Sequence, residues 1–246
     1  MRNINKVILF VVTLFTWFSD TFQASHGSSR NSEYKNTRKL FAALGLKHTN
    51  NLVMEPSEIA LMDAHKDEAK KYLNEEIRSL MISKRLTVKQ LSEIRKTLQE
   101  QPVRKDLQVK FINKKMGYGL FATQAMPVNT VIGVYSGQIK TIEEVNQDYA
   151  FPFLGINPSA MDSQDEDEQE GIFWVDASVH GNATRFINHS EDQNCSTFNI
   201  LDASNIPQVV FVTRDPIKKG EQITINYGSV YVWDKESVKP EVIISK

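Results

Sequence analysis

Gly181-Asn182-Ala183-Thr184-Arg185-Phe186-Ile187-Asn188-His189-Ser190 is followed about forty residues later by Ile223-Thr224-Ile225-Asn226-Tyr227-Gly228, and both come after a glycine turn, Gly117-Tyr118-Gly119. Taken singly, each is ordinary. Phe186 and Ile187 suit a buried strand, a lone histidine such as His189 is usually a satisfied core residue, and Tyr-Gly ends strands in many β domains. A glycine pair is used wherever the backbone takes positive φ or admits a close neighbour. What decides the reading is that the three occur together, in this order.

Around these segments the chain has a β texture. Residues 131–135, 172–175, 209–213 and 222–226 are brief β-branched or aromatic runs bounded by Gly, Pro and Asn, which predicts a small, mainly β domain. Between its early and late strands lies an acidic run, residues 162–170, expected as a solvated loop; its charge would also attract a basic peptide.

Before residue 105 the period is helical. Pro56 and Ser57 mark a start, and Leu61, Ala64, Ala69, Tyr72 or Leu73, Ile77 and Leu80 recur at helical spacing over 59–82. Thr87 with Gln90 three residues on reads as a capping box, opening a second helix whose Leu91, Ile94 and Leu98 share a face. An α-helical hairpin over 56–104 is therefore expected before the β domain. Residues 25–55, with Ser25, Ser28, Ser29 and Ser32 and little periodicity, read as a flexible linker. Arg2 and Lys6 precede an apolar run over residues 7–18, the length of a signal-peptide core and short for a membrane span. Residues 1–24 thus read as a signal-like or anchor segment, uncleaved if the poor site Phe22-Gln23-Ala24 is passed over. This predicts an exported or membrane-anchored protein, with a cytoplasmic protein as the alternative.

Bulk properties narrow the classes. A formal net charge of −1 over 246 residues provides no basic field for nucleic acid, and no direct nucleic-acid binding is expected. The single cysteine, Cys195, and five scattered histidines exclude a disulfide framework and a cysteine-rich zinc cluster, so no metal is expected.

The ordered set of Gly117-Tyr118-Gly119, Arg185 to Ser190 and the run into Tyr227 closely resembles the signature of the SET-domain protein-lysine methyltransferases, over roughly residues 105–234. The resemblance implies a mainly β fold, a SET-type β-clip with knot-like C-terminal threading, leaving 235–246 as a tail. It implies S-adenosyl-L-methionine as cofactor, with the Gly117, Tyr118 and Gly119 turn against its methionine part. Asn188 would meet its amino-acid end, and the His189 backbone its adenine. Arg185 would belong to the same cofactor site, and Trp233 would cover the adenine. Tyr227 falls on the catalytic tyrosine. Tyr135, in Tyr135-Ser136-Gly137, would be a second tyrosine lining the lysine channel, with Phe198 a further channel residue. A Phe there, lacking a hydroxyl, would favour higher methylation states. The partner would be a protein or peptide lysine, on a histone-like or host protein; the alternative is a catalytically inactive SET-fold module that binds a peptide or cofactor.

Two departures bear on mechanism. The family often continues Asn-His-Ser with Cys-x-Pro-Asn and adds cysteines after the catalytic tyrosine; here Glu191, Asp192 and Gln193 precede Asn194, and no cysteine follows Cys195. Closure of the channel would then fall to Tyr231-Val232-Trp233 or to the N-terminal helices.

Overall fold

The computed structural model describes residues 32–64, 66–100, 104–140, 145–154 and 173–227. Four helices come first among these: α1 (Ser32–Ala43), α2 (Pro56–Ala64), α3 (Lys66–Ile82) and α4 (Val88–Glu100). Pro56 opens α2, where a missing N–H costs nothing. The capping box at α4 forms as expected. Gln90 N donates to Thr87 Oγ1 at 3.2 Å, and Thr87 N donates to Gln90 Oε1 at 2.7 Å. Thr87→Ala removes one half of that exchange and should cost about 1 kcal/mol, read as a lower urea midpoint at unchanged slope.

The linker expected over 25–55 is corrected in its described part. α1 closes with Leu46 N donating to Phe41 O at 2.8 Å, and Phe41 is 1% exposed. The chain then enters β1 (Lys47–His48), paired in parallel with β8 (His180–Gly181), and Val53 bridges to Gln138. Leu40, Leu44, Leu46, Leu52 and Met54 lean on the same core. A Ser- and Lys-rich composition describes the solvated side of such a segment. One aromatic anchor and a few backbone pairings order it, and neither registers in composition. Residues 1–31, including the apolar run 7–18, lie outside the described residues.

The β part consists of small sheets. β2 (Leu107–Asn113) and β3 (Gly117–Ala122) form an antiparallel hairpin. β4 (Val131–Val134), β10 (Cys195–Leu201) and β11 (Pro207–Thr213) make an antiparallel sheet in the order β10-β11-β4. β5 (Gln138–Lys140), β6 (Ala150–Leu154) and β7 (Phe173–Asp176) make another, ordered β5-β7-β6. β9 (Asn188–His189) pairs in parallel with β12 (Thr224–Ile225).

Strand alternation divides the apolar residues of β10-β11-β4 between two cores. Val131, Phe198, Ile200, Val210 and Val212 pack with Ile77, Leu86, Leu91, Ile94 and Leu98 from the α3–α4 hairpin. Cys195, Leu201, Val209 and Phe211 join the main core with Tyr135, Phe186 and Ile225. The helical hairpin therefore covers one face of the sheet, and the signature segments gather on the other.

Candidate active site

Every signature segment is held by another. Asn182 caps a 3-10 turn (Ala183–Phe186) by accepting from Thr184 N at 3.0 Å, while its Nδ2 donates to Val134 O at 2.9 Å and to Ser136 Oγ. This fastens Tyr135-Ser136-Gly137 to the Arg185 to Ser190 run. At Gly137 a Cβ would stand 2.3 Å from the Asp176 carbonyl oxygen, so no larger residue fits. Asp176 is itself buried. Burial opposes its charge, but hydrogen bonds from Ser178, Lys140 Nζ and the Asn146 amide outweigh that and hold its carboxyl below the usual range.

Arg185 turns inward. Its guanidinium lies 4.3 Å from the Tyr149 ring centre and 5.0 Å from that of Phe186, and Nε donates to Ala177 O at 2.9 Å. The Phe186 ring in turn stands 5.8 Å from Tyr118, so the Arg185-Phe186 pair braces the glycine turn. Gly117 opens β3 at φ 70°, a conformation that favours glycine. Asn188 Nδ2 donates to Tyr118 O at 3.0 Å, tying that turn to β9. No hydrogen bond from the described residues reaches Asn188 Oδ1.

Tyr227 is held at both ends by residues 187–189, on and just before β9. Its backbone N–H donates to His189 Nδ1 at 3.1 Å, and its hydroxyl donates to Ile187 O at 2.8 Å. Asn194 steadies the approach: Nδ2 donates to Gln222 O at 2.8 Å, and Oδ1 accepts from Thr224 N at 3.0 Å. Tyr135 is 3% exposed and its hydroxyl donates to Tyr149 O at 2.7 Å. Burial, with Tyr227 nearby, pushes its phenol well above the ordinary value, so it stays protonated. Phe151 links the two tyrosines, its ring centre 4.9 Å from that of Tyr135 and 6.5 Å from that of Tyr227.

The structure thus brings together Gly117, Tyr118, Gly119, Arg185, Asn188, His189, Tyr135 and Tyr227. Phe198 is corrected: on β10 it points into the helix-facing core, across the sheet from Phe211 and Tyr135. A resemblance in sequence position cannot say which face a strand residue takes. Trp233 and the acidic run lie outside the described residues. Phe151 was missed, its signal no more than an aromatic beside Pro152; the carbonyls of Ile187 and Tyr149 carry no sequence signal at all. Among the described residues no group of three or more His, Cys, Asp or Glu side chains is placed to hold a metal ion. Cys195 is buried, which pushes its thiol up to about 12.

Comparison with known proteins agrees with this fold. Residues 117–228 match the SET domain family. Relatives include the histone-lysine N-methyltransferase, H3 lysine-36 specific, of Cryptococcus neoformans, 34% identical over 120 residues, which are 48% of this chain and 13% of that protein. SUV39H2 of Gallus gallus, a histone-lysine N-methyltransferase, is 32% identical over 120 residues, 47% of this chain and 28% of that protein. The chain therefore spans less than a third of the length of these relatives. Among solved structures, ATXR5 in complex with histone H3.1 mono-methylated on R26 superposes with a TM-score of 0.58 at 16% identity, covering 82% of this chain and 89% of that one. That likeness is one of fold, and it takes in part of the chain before residue 117. The protein carries a SET domain.

Proposed function

We propose that this chain is an S-adenosylmethionine-dependent protein-lysine N-methyltransferase, with Tyr227 as its catalytic tyrosine. The observation that carries the reading is the convergence on one short segment, residues 187–189, of the glycine turn through Asn188 and of Tyr227 through Ile187 and His189. The residues fit the cofactor. Asn188 uses its amide N–H on Tyr118 O, which leaves Oδ1 as an acceptor for an ammonium beside the Gly117 to Gly119 turn. Bound there, S-adenosylmethionine would supply a methyl already activated on a sulfonium, chemistry that needs no metal.

The chain's own task is to align a neutral lysine nitrogen with that methyl in a narrow channel. Losing the proton from a lysine of pKa ~10.4 near pH 8 costs roughly 3 kcal/mol, which an apolar channel reduces by disfavouring the ammonium. Tyr227 and Tyr135 suit this setting. Each hydroxyl donates its proton to a backbone carbonyl, and a phenol oxygen that donates keeps acceptor capacity. Tyr135, held protonated, does not serve as base, so the proton leaves to water. Phe151, with an edge toward both tyrosines, would form an apolar wall.

A lysine of a protein or peptide is the proposed substrate; the histone-lysine N-methyltransferase activity of the relatives makes a histone peptide the first to try. The parallel pairing of β12 with β9 supports a C-terminal segment threaded in knot-like fashion past Asn188. With Phe198 facing the other core, its support for higher methylation states is withdrawn. Incubating the protein with labelled cofactor and mixed histone and non-histone peptides, then locating label by mass spectrometry, tests the activity. A folded protein that binds the cofactor yet labels no lysine would be a binding module instead.

Asn188→Ala should weaken cofactor binding by about 1–3 kcal/mol, measured by calorimetric titration, since it removes the partner of a buried charged group. Wild-type affinity in a folded variant would reject this assignment. We propose also that residues 7–18 direct export or membrane attachment. Residues 1–30 fused to a reporter active only outside the cytoplasm should switch it on, and a silent, soluble fusion counts against export.

A further inference from the structure

We infer that the His189 side chain is a positioning residue for Tyr227, extending the β9–β12 ladder by one hydrogen bond in which an imidazole accepts the Tyr227 N–H. Strand pairing stops short of the tyrosine: β12 ends at Ile225, whose carbonyl accepts from Ser190 N at 2.9 Å. Two residues on, the Tyr227 N–H finds a ring nitrogen, His189 Nδ1, at 3.1 Å. The two rings stand 5.4 Å apart at 60°, in edge contact. A neutral imidazole that accepts at Nδ1 carries its hydrogen on Nε2, which fixes the tautomer of His189. The far end of Tyr227 is tied just before the same strand, through its hydroxyl on Ile187 O at 2.8 Å. Backbone and hydroxyl are therefore referred to one short segment, and Asn188 between the two anchors holds the glycine turn. A displacement of that segment would move the cofactor contact and the tyrosine together, preserving their relative position.

The inference rests on the reading of Tyr227 as catalytic, but its geometric half can be read without activity. An N–H···N hydrogen bond transmits a 15N–15N scalar coupling, so labelled protein should show one between the Tyr227 amide and His189 Nδ1. In kinetics, His189→Ala frees the tyrosine backbone, and a misplacement on the order of 1 Å can cost about a hundredfold. The expected result is a kcat about 10- to 100-fold lower with cofactor affinity changed by less than about threefold. His189→Asn places Oδ1 near the position of Nδ1 and should recover a substantial part of the loss, whereas a purely space-filling role predicts recovery by His189→Leu instead. Loss of the coupling overturns the clamp whatever the activity. Coupling present with an unchanged kcat in His189→Ala overturns the positioning role. Coupling present in a wild-type protein that methylates no lysine overturns the functional reading, and with it the kinetic consequence, while the structural bond stands.

Discussion

Tyr227→Phe should lower turnover by about ten- to a thousandfold, about 1.4–4 kcal/mol of barrier, in a protein that remains folded. The substitution removes one oxygen and keeps the ring against His189 and Phe151, at 5.4 and 6.5 Å between centres. For stability it removes the neutral hydrogen bond to Ile187 O, a net effect on the order of 1 kcal/mol. The catalytic loss is larger because the oxygen acts where nitrogen and methyl approach, and an interaction made mainly in the transition state is lost in full from kcat. Tyr135→Phe is the informative comparison. Its hydroxyl lies on Tyr149 O, which also accepts from Ala177 N at 2.9 Å, so that carbonyl is not orphaned by the change. Measured at saturating cofactor on the protein's own lysine substrate, full turnover in Tyr227→Phe passes the catalytic role to Tyr135. Full turnover in both variants removes the proposed mechanism.

Legibility in the sequence followed the range of the interactions. The Thr87 cap was legible because donor and acceptor lie three residues apart, and the faces of α3 and α4 because a helix repeats its environment every turn or so. The meeting of the motifs was legible in their polar residues: Asn188 bonds to the Tyr118 carbonyl and His189 accepts from the Tyr227 amide. Contacts made through backbone or across sheets were hidden. The Ile187 and Tyr149 carbonyls have no side-chain identity to read. Phe198 went to the wrong face because its side is set by the register of β10 against β11, where it pairs with Val210, and nothing local specifies that register. Phe151 escaped notice because Pro152 makes β6 look unlike a strand.

The largest stability effect is expected where composition suggested none. Phe41→Ala should destabilise the protein by about 3–5 kcal/mol, the usual cost of deleting a fully buried aromatic ring. Phe41 makes edge contacts with His48 at 5.2 Å and Phe186 at 5.6 Å between ring centres. His48 belongs to β1, which pairs beside Gly181 at the start of the Arg185 to Ser190 run. A cavity at Phe41 therefore loosens α1, the β1–β8 pairing and the support of Phe186 at once, with little scope for collapse around it. A flexible linker would lose nothing, so a urea midpoint shifted by less than about 1 kcal/mol equivalent would restore that view. The same variant should bind cofactor more weakly even where it remains folded, because Phe186 stands between Phe41 and Tyr118, whose carbonyl receives the Asn188 amide. Unaltered cofactor affinity alongside the stability loss would separate the two roles, leaving Phe41 as core packing without influence on the site.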